Sequence, residues 1–512
     1  MVRLTRRELL VGALALPAAG LSACRSGGAQ AARLVVAPPT DPAALHPLLQ
    51  TGLVEASVYG NLYDPLVALD ADGRPQPALA ESWQTPDDRT WVFRLRQGVT
   101  FHNGERFDAE SVRFTVAQLL DPATGSPIRA QLDAVERVEA PDARTAVVVT
   151  RRPFAPLLAE LTGLMMLPPG HAGRVGANGL AAQPVGTGPF RFVERVKDDR
   201  IVLEANRRYW RGAPRIDRLE FRSIPEAVVR WAAVQTGDVD LATSVPNEQV
   251  ATLERRGVRV AARPGVQTLY LRLNARKPPL DDRRVRRAIV HAVNLDQVVK
   301  TAYGDRARRV NGPYPPEVFA YDRDAAPQAY DPGRARALLR EAGVAETTVL
   351  TFEAPRDRYP KDSQVVQLIA AYLTEAGLRT RIQVLEWAAY LDKLQSGRGE
   401  HLFLLAGTNR TFDPHFTIVR LYANASVFGR AYYGNGEIDG LAEQAATALD
   451  PERRRVLYHQ ILGILRADAP ALWIAQLDDL YALRPGVSWE PRADSLLWMH
   501  SASARAPVGV RT

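Results

Sequence analysis

Thr90-Trp-Val-Phe-Arg-Leu-Arg96 sets Trp91, Phe93 and Leu95 on one side of an extended chain and Val92, Arg94 and Arg96 on the other. A period of two over this length predicts a β-strand with one buried face. Val147-Val-Val149 and Arg379-Thr-Arg-Ile-Gln-Val384 read the same way. Between such runs lie well-punctuated helices. Asp331 N-caps a helix with Pro332 at its first position and Gly343 past its end. Ser363 opens a second helix, apolar at Val366, Ile369, Ala370 and Leu373 and closed by Gly377, and Asp450-Pro451 opens a third. Residues 282–303 read as a fourth helix, with Val285, Ile289 and Val293 on one stripe and Arg283, Arg284, Arg286 and Arg287 on a solvated face. Strand and helix signals alternate along the whole chain, which predicts a mixed α/β protein.

The chain has 512 residues, 46% apolar and 24% charged, enough for about three domains or subdomains and a sizeable core. Lys and Arg total 65 against 57 Asp and Glu, a formal net charge of +8. The cations are almost all Arg, and they alternate with acids instead of clustering on an aromatic-studded stripe. That distribution argues against nucleic-acid binding.

Residues 1–8 carry three Arg, and Leu9–Ala23 are uncharged. A basic segment followed by an apolar stretch too short to span a bilayer reads as an export signal, and Thr5-Arg-Arg-Glu-Leu-Leu10 resembles its twin-arginine form. Leu21-Ser-Ala-Cys24 contains the single Cys of the chain and looks like a lipobox, with Cys24 as the lipidated first residue of the mature protein. Residues 24–32 then read as a tether. With one thiol, no intramolecular disulfide can form.

Local signatures of catalysis are missing. Gly186-Thr-Gly-Pro189 lacks the third glycine of a dinucleotide loop, and no P-loop, G-x-S-x-G, S-x-x-K or H-E-x-x-H occurs. The eight His show no close zinc-type pairing. A hydrolase assembled from distant Ser, His and Asp residues stays open as the alternative class.

Several stretches, in order and spacing, resemble the extracytoplasmic solute-binding proteins of ABC importers, specifically family 5 of the peptide, oligopeptide and nickel type. They are Tyr63-Asp-Pro-Leu-Val67, Pro77-Ala-Leu-Ala-Glu-Ser-Trp83, the strand at 90–96, Val99-Thr-Phe-His-Asn-Gly104 and Phe107-Asp-Ala-Glu-Ser-Val112. Further on come Pro184-Val-Gly-Thr-Gly-Pro-Phe190, Asn206-Arg-Arg-Tyr-Trp210, Gly237-Asp-Val-Asp240, Tyr330-Asp-Pro332, Glu386-Trp387 and Asp413-Pro414. The resemblance implies a two-lobed periplasmic-binding-protein fold (type II, cluster C) with an extra subdomain. One lobe would comprise 33–57, 184–267 and 488–512, the subdomain 58–183 and the second lobe 268–487. Trp83, Trp91 and Phe93 are then core, His102–Gly104 is a turn, and Gly186 and Gly188 shape the passage back into the first lobe.

The resemblance also implies a monomeric receptor, with no cofactor and no catalytic residues, that holds a small peptide-like ligand in the cleft between lobes and delivers it to an ABC permease. A metal chelate, glycoside or opine is the alternative ligand. Peptide-binding relatives place an Asp shortly before the Asp-Pro step to pair with the ligand's α-amine; here that place holds Arg410, within Thr408-Asn409-Arg410-Thr411-Phe412-Asp413. Either the ligand lacks a free amine and Arg410 takes an anion, or Asp413 fills the role, or Arg410 is an inter-lobe ion pair. Trp387 and Tyr390 are expected as aromatic walls of the cleft, and Thr40 and Asp41 as its rim on the other lobe. His415 alone, without a second ligand, is a thin basis for metal binding.

Overall fold

One mixed sheet threads both lobes of the molecule. In spatial order its strands are Arg379–Leu385, Val349–Pro355, Leu402–Thr408, Arg259–Leu273, Ala471–Leu483, Leu241–Thr243, Arg33–Ala37, Arg218–Arg222, Arg200–Ala205 and Phe190–Val196, with Ala307–Arg309 added beside Ala471–Leu483. The computed structural model describes residues 32–49 and 52–504, so the readings of the signal, of Cys24 and of most of the tether fall outside it.

The two long strands, Arg259–Leu273 and Ala471–Leu483, run antiparallel at the centre of the sheet. Arg259–Pro264 pair with Asp478–Leu483 and Thr268–Arg272 with Ala471–Gln476, and the register slips between Pro264 and Thr268. A bulge of this kind bends a strand and frees backbone groups. The Val266 carbonyl freed there accepts Asn409 N–H at 3.1 Å, and the Gly265 carbonyl accepts Gln476 Nε2 at 2.5 Å. The register slip is therefore tied to the loop that carries Arg410.

Beyond the break, side chains of Arg259–Leu273 alternate as a doubly covered strand demands. Leu269, Leu271 and Leu273 join Ile289, Val298 and Ile369 in one core layer. Tyr270 joins Phe403, Tyr458 and Trp473 in the other. Arg272 lies on that second side and is fully buried. It donates to the Leu421 carbonyl at 3.0 Å and sits 4.8 Å from the Tyr422 ring centre, a cation–π contact in place of a carboxylate partner.

The strand Thr90–Leu95 lies inside a separate antiparallel sheet with Ala80–Gln84, Thr145–Thr150 and Val135–Asp142. Trp91, Phe93 and Leu95 are buried as the alternation requires. The helix Ala109–Leu120 covers this sheet, capped by Asp108 in a capping box with Ser111.

Three local expectations need correction. Residues 282–303 form two helices, Arg283–Ala292 and Leu295–Tyr303, because Asn294 turns its side chain back to cap Gln297 N–H at 3.0 Å. Arg286 is not solvated: it is buried and donates to the carbonyls of Leu280 (2.8 Å), Asp281 (3.1 Å) and Asp468 (2.9 Å). Arg379–Leu385 is a strand, but an edge strand with Ile382 and Val384 exposed, so its alternation marks no buried face.

Candidate functional site

A cavity of about 780 Å³ opens between the helix Leu53–Leu62, the start of the helix Pro414–Tyr422 and the segment from Arg492 to Trp498. Its first wall, Ser57 to Asp64, is set by backbone packing. Gly188 N–H donates to the Leu62 carbonyl at 2.9 Å. A Cβ on Gly186 would stand 2.1 Å from that oxygen, and one on Gly188 would stand 2.5 Å from the Leu62 carbonyl carbon. Glycine is required at both places because backbone meets backbone. Asp64 closes the joint, accepting from Thr187 Oγ1 (2.8 Å), the Tyr209 hydroxyl (2.8 Å) and Trp210 Nε1 (3.0 Å).

The facing wall is the loop that leaves the strand Leu402–Thr408. Asn409 is buried, and its amide donates to the Asp413 carbonyl (2.8 Å) and Thr417 Oγ1 (3.1 Å). Asp413 caps the helix Pro414–Tyr422 through His415 N–H at 2.9 Å. The same carboxylate is gripped by Arg454 at 2.9 and 3.0 Å, and both side chains are buried. Asn409 and Asp413 thus hold the loop from behind, while Thr408 and Arg410 face the cavity. Among the described residues Arg410 has no ion-pair partner. Burial pulls its pKa below the ordinary guanidinium value, and the charges of Asp494 and Glu55 push it back. Asp494 itself is committed to Arg492 at 2.5 Å.

Of the residues singled out by sequence, Thr408 and Arg410 come together on the cavity wall. Asn409 and Asp413 stand directly behind them, and Asp413, neutralised by Arg454, does not line the cavity. The other four lie elsewhere. Tyr390 is fully buried and donates to the Leu404 carbonyl at 2.8 Å. Trp387 packs against Tyr359, with Arg358 4.6 Å from its ring centre. Asp41 pairs with Arg195 at 2.6 Å, and Thr40 is exposed. The helix Trp387–Gln395 turns these aromatics into the lobe, where an indole and a phenol bury more apolar area than they would on a wet wall.

Sequence reasoning missed Glu160, and it read His415 only as a thin metal candidate. Both line the cavity. His415 is edge-on to Phe154 at 5.5 Å, its Nδ1 is buried without a partner, and burial pushes its pKa down to about 4. Glu160 is 3% exposed, with Oε2 unpartnered. The only signal in the sequence is an acid set within Leu157-Leu-Ala-Glu-Leu161. Among the described residues no three His, Cys, Asp or Glu side chains converge on a metal position, and no helix is long and apolar enough to cross a membrane.

An α/β frame with a large cavity lined by segments distant in sequence is an architecture suited to holding a small solute. Residues 74–428 match bacterial extracellular solute-binding proteins, family 5 (middle region), and the chain belongs to that family. The chain is 33% identical over 442 residues to di/tripeptide-binding protein 2 of Pseudomonas aeruginosa, covering 80% of this chain and 83% of that protein. It is 28% identical over 487 residues to the glutathione-binding protein GsiB of Escherichia coli K12, covering 93% of each. Its fold matches the periplasmic binding protein DppA of Helicobacter pylori, solved in complex with the peptide STSA, with a TM-score of 0.81 and 28% identity over 92% of this chain and 98% of that one.

Proposed function

We propose that this protein is the receptor of an ABC importer, capturing a short peptide-like solute in the 780 Å³ cavity and delivering it to the permease. Pockets of about 300–1,000 Å³ suit ligands of that size. The observation that carries the reading is Arg410, a cation on the cavity wall with no carboxylate of its own. Arg410 is half-buried, and a ligand carboxylate supplies the bidentate partner that its planar fork fits. The named relatives that bind di/tripeptides and glutathione support the same ligand class.

In this reading the lobes are 33–57 with 184–267 and 488–512, and 268–487, with 58–183 as the extra subdomain. They close about the register slip at Pro264–Thr268. The closed form is selected by ligand, so observed affinity is intrinsic affinity reduced by the closed-state fraction. The protein acts as a monomer and as a binder, not a catalyst. Export by a twin-arginine signal and a lipid on Cys24 would hold it at the outer face of the membrane.

The test is a thermal-shift screen against di- to pentapeptides, N-blocked peptides, metal chelates, sugars and opines. A ligand at 100 Kd adds about 2.7 kcal/mol of stability. Shifts confined to chelates, sugars or opines would replace the peptide reading with its alternative.

A further inference from the structure

The cavity wall holds a second unmatched group besides Arg410, and it is an acid. Glu160 lies in the short helix Leu157–Leu161 and lines the cavity, yet its Oε2 has no hydrogen-bond partner among the described residues. The charges acting on it are Asp413 and Asp133, both of its own sign. Those acting on Arg410 are Asp494 and Glu55. The two unmatched groups therefore occupy separate electrostatic neighbourhoods.

Among the described residues no cation is hydrogen-bonded to Glu160, although Arg152 keeps a buried Nη1 without a partner on the same cavity wall. Arg454 is spent on Asp413 at 2.9 Å. Arg152 is paired with Glu443 at 3.1 Å. His415 is held neutral by burial, and Tyr458, which also senses Glu160, is neutral with its hydroxyl bonded to Arg454 at 3.2 Å.

We propose that Glu160 is the cation-binding group of this cavity, taking the ammonium of a zwitterionic ligand whose carboxylate lies on Arg410. The inference rests on the peptide-like reading above and deepens it. The ligand amine is then received by the helix Leu157–Leu161.

Burial and the two neighbouring acids raise the Glu160 pKa well above the ordinary carboxylate value, so both disfavour its charged form in the empty site. Docking an ammonium favours the carboxylate, and one proton leaves Glu160 for solvent as the ligand binds. Glu160→Gln keeps the shape of the side chain and removes its capacity to carry charge.

The experiment exposes the purified chain and its Glu160→Gln variant to three matched libraries of Ala, Gly, Leu and Phe di- and tripeptides: free, N-acetylated and C-amidated. Bound species are weighed by native mass spectrometry. The best-retained free peptide is then titrated calorimetrically at pH 6 in two buffers of different ionisation enthalpy, which reads the protons released. The parent should prefer free over N-acetylated peptides by about 10- to 100-fold, the range of a charge-assisted hydrogen bond. It should also release close to one proton. Glu160→Gln should lose both the preference and the proton release, with thermal stability unchanged.

Equal retention of free and N-acetylated peptides by the parent would overturn the role of Glu160 and leave peptide capture standing. Undiminished binding by the variant would do the same. So would binding without proton release, the signature of a carboxyl already ionised by turning to Arg152. No retention from any library would remove the peptide reading itself, and this inference with it.

Discussion

Asp479→Asn should stabilise the protein, increasingly so as pH rises. Asp479 sits on the crossover strand Ala471–Leu483, opposite Arg263 and one residue from the register slip. A Cβ on Gly265 would meet its carboxylate at 2.8 Å. Burial pushes its pKa up to about 6 from 3.8, Asp478 adds to the rise, and a hydrogen bond from Ser495 opposes it. A folded-state pKa above the unfolded one means that the native protein favours the protonated form. That contribution is complete below about pH 4 and is lost as pH climbs through 6. Two units at 1.36 kcal/mol each amount to about 3 kcal/mol by pH 8. The asparagine carries no charge to desolvate and escapes the loss. Urea denaturation of parent and variant from pH 4.5 to 8 is the assay. The two curves should differ by about 1 kcal/mol at the acid end and by up to about 3 kcal/mol at the alkaline end. Parallel curves would show that the carboxylate is solvated in the folded state, and would refute the reasoning.

Two substitutions test the walls of the cavity. Gly188→Ala forces a methyl to 2.5 Å from the Leu62 carbonyl carbon, a backbone contact that cannot relax cheaply; chemical denaturation should show a loss of about 1–3 kcal/mol. Asp413→Asn leaves Arg454 buried without its carboxylate and should cost about 3–5 kcal/mol, with ligand affinity falling as well because the same residue caps the helix behind Arg410.

What the sequence made legible was local. The alternation of Trp91, Phe93 and Leu95 survives into the structure because that strand has one covered face and one open face. The helix Pro332–Glu341 begins and ends where Asp331 and Gly343 say it should, since capping is settled within a few residues. Pairing between Arg259–Leu273 and Ala471–Leu483 joins residues some two hundred positions apart, and no local periodicity records it. The site divides in the same way. Arg410 stood out only against the pattern that the family resemblance implies. The burial of Tyr390, the packing of Trp387 against Tyr359 and the place of Glu160 on the cavity wall depend on which side of a helix the rest of the fold covers. The same holds for Arg286, whose charge suggests solvent and whose position among three carbonyls makes it interior.

The most direct test of the central claim is a calorimetric comparison of a tripeptide with its C-terminal amide, for the parent and for Arg410→Gln. If the cavity captures a peptide-like solute through Arg410, amidation weakens binding to the parent by about 10- to 100-fold, and the variant binds both forms with the same reduced affinity. Equal affinity of the parent for acid and amide, unchanged in the variant, would contradict the account.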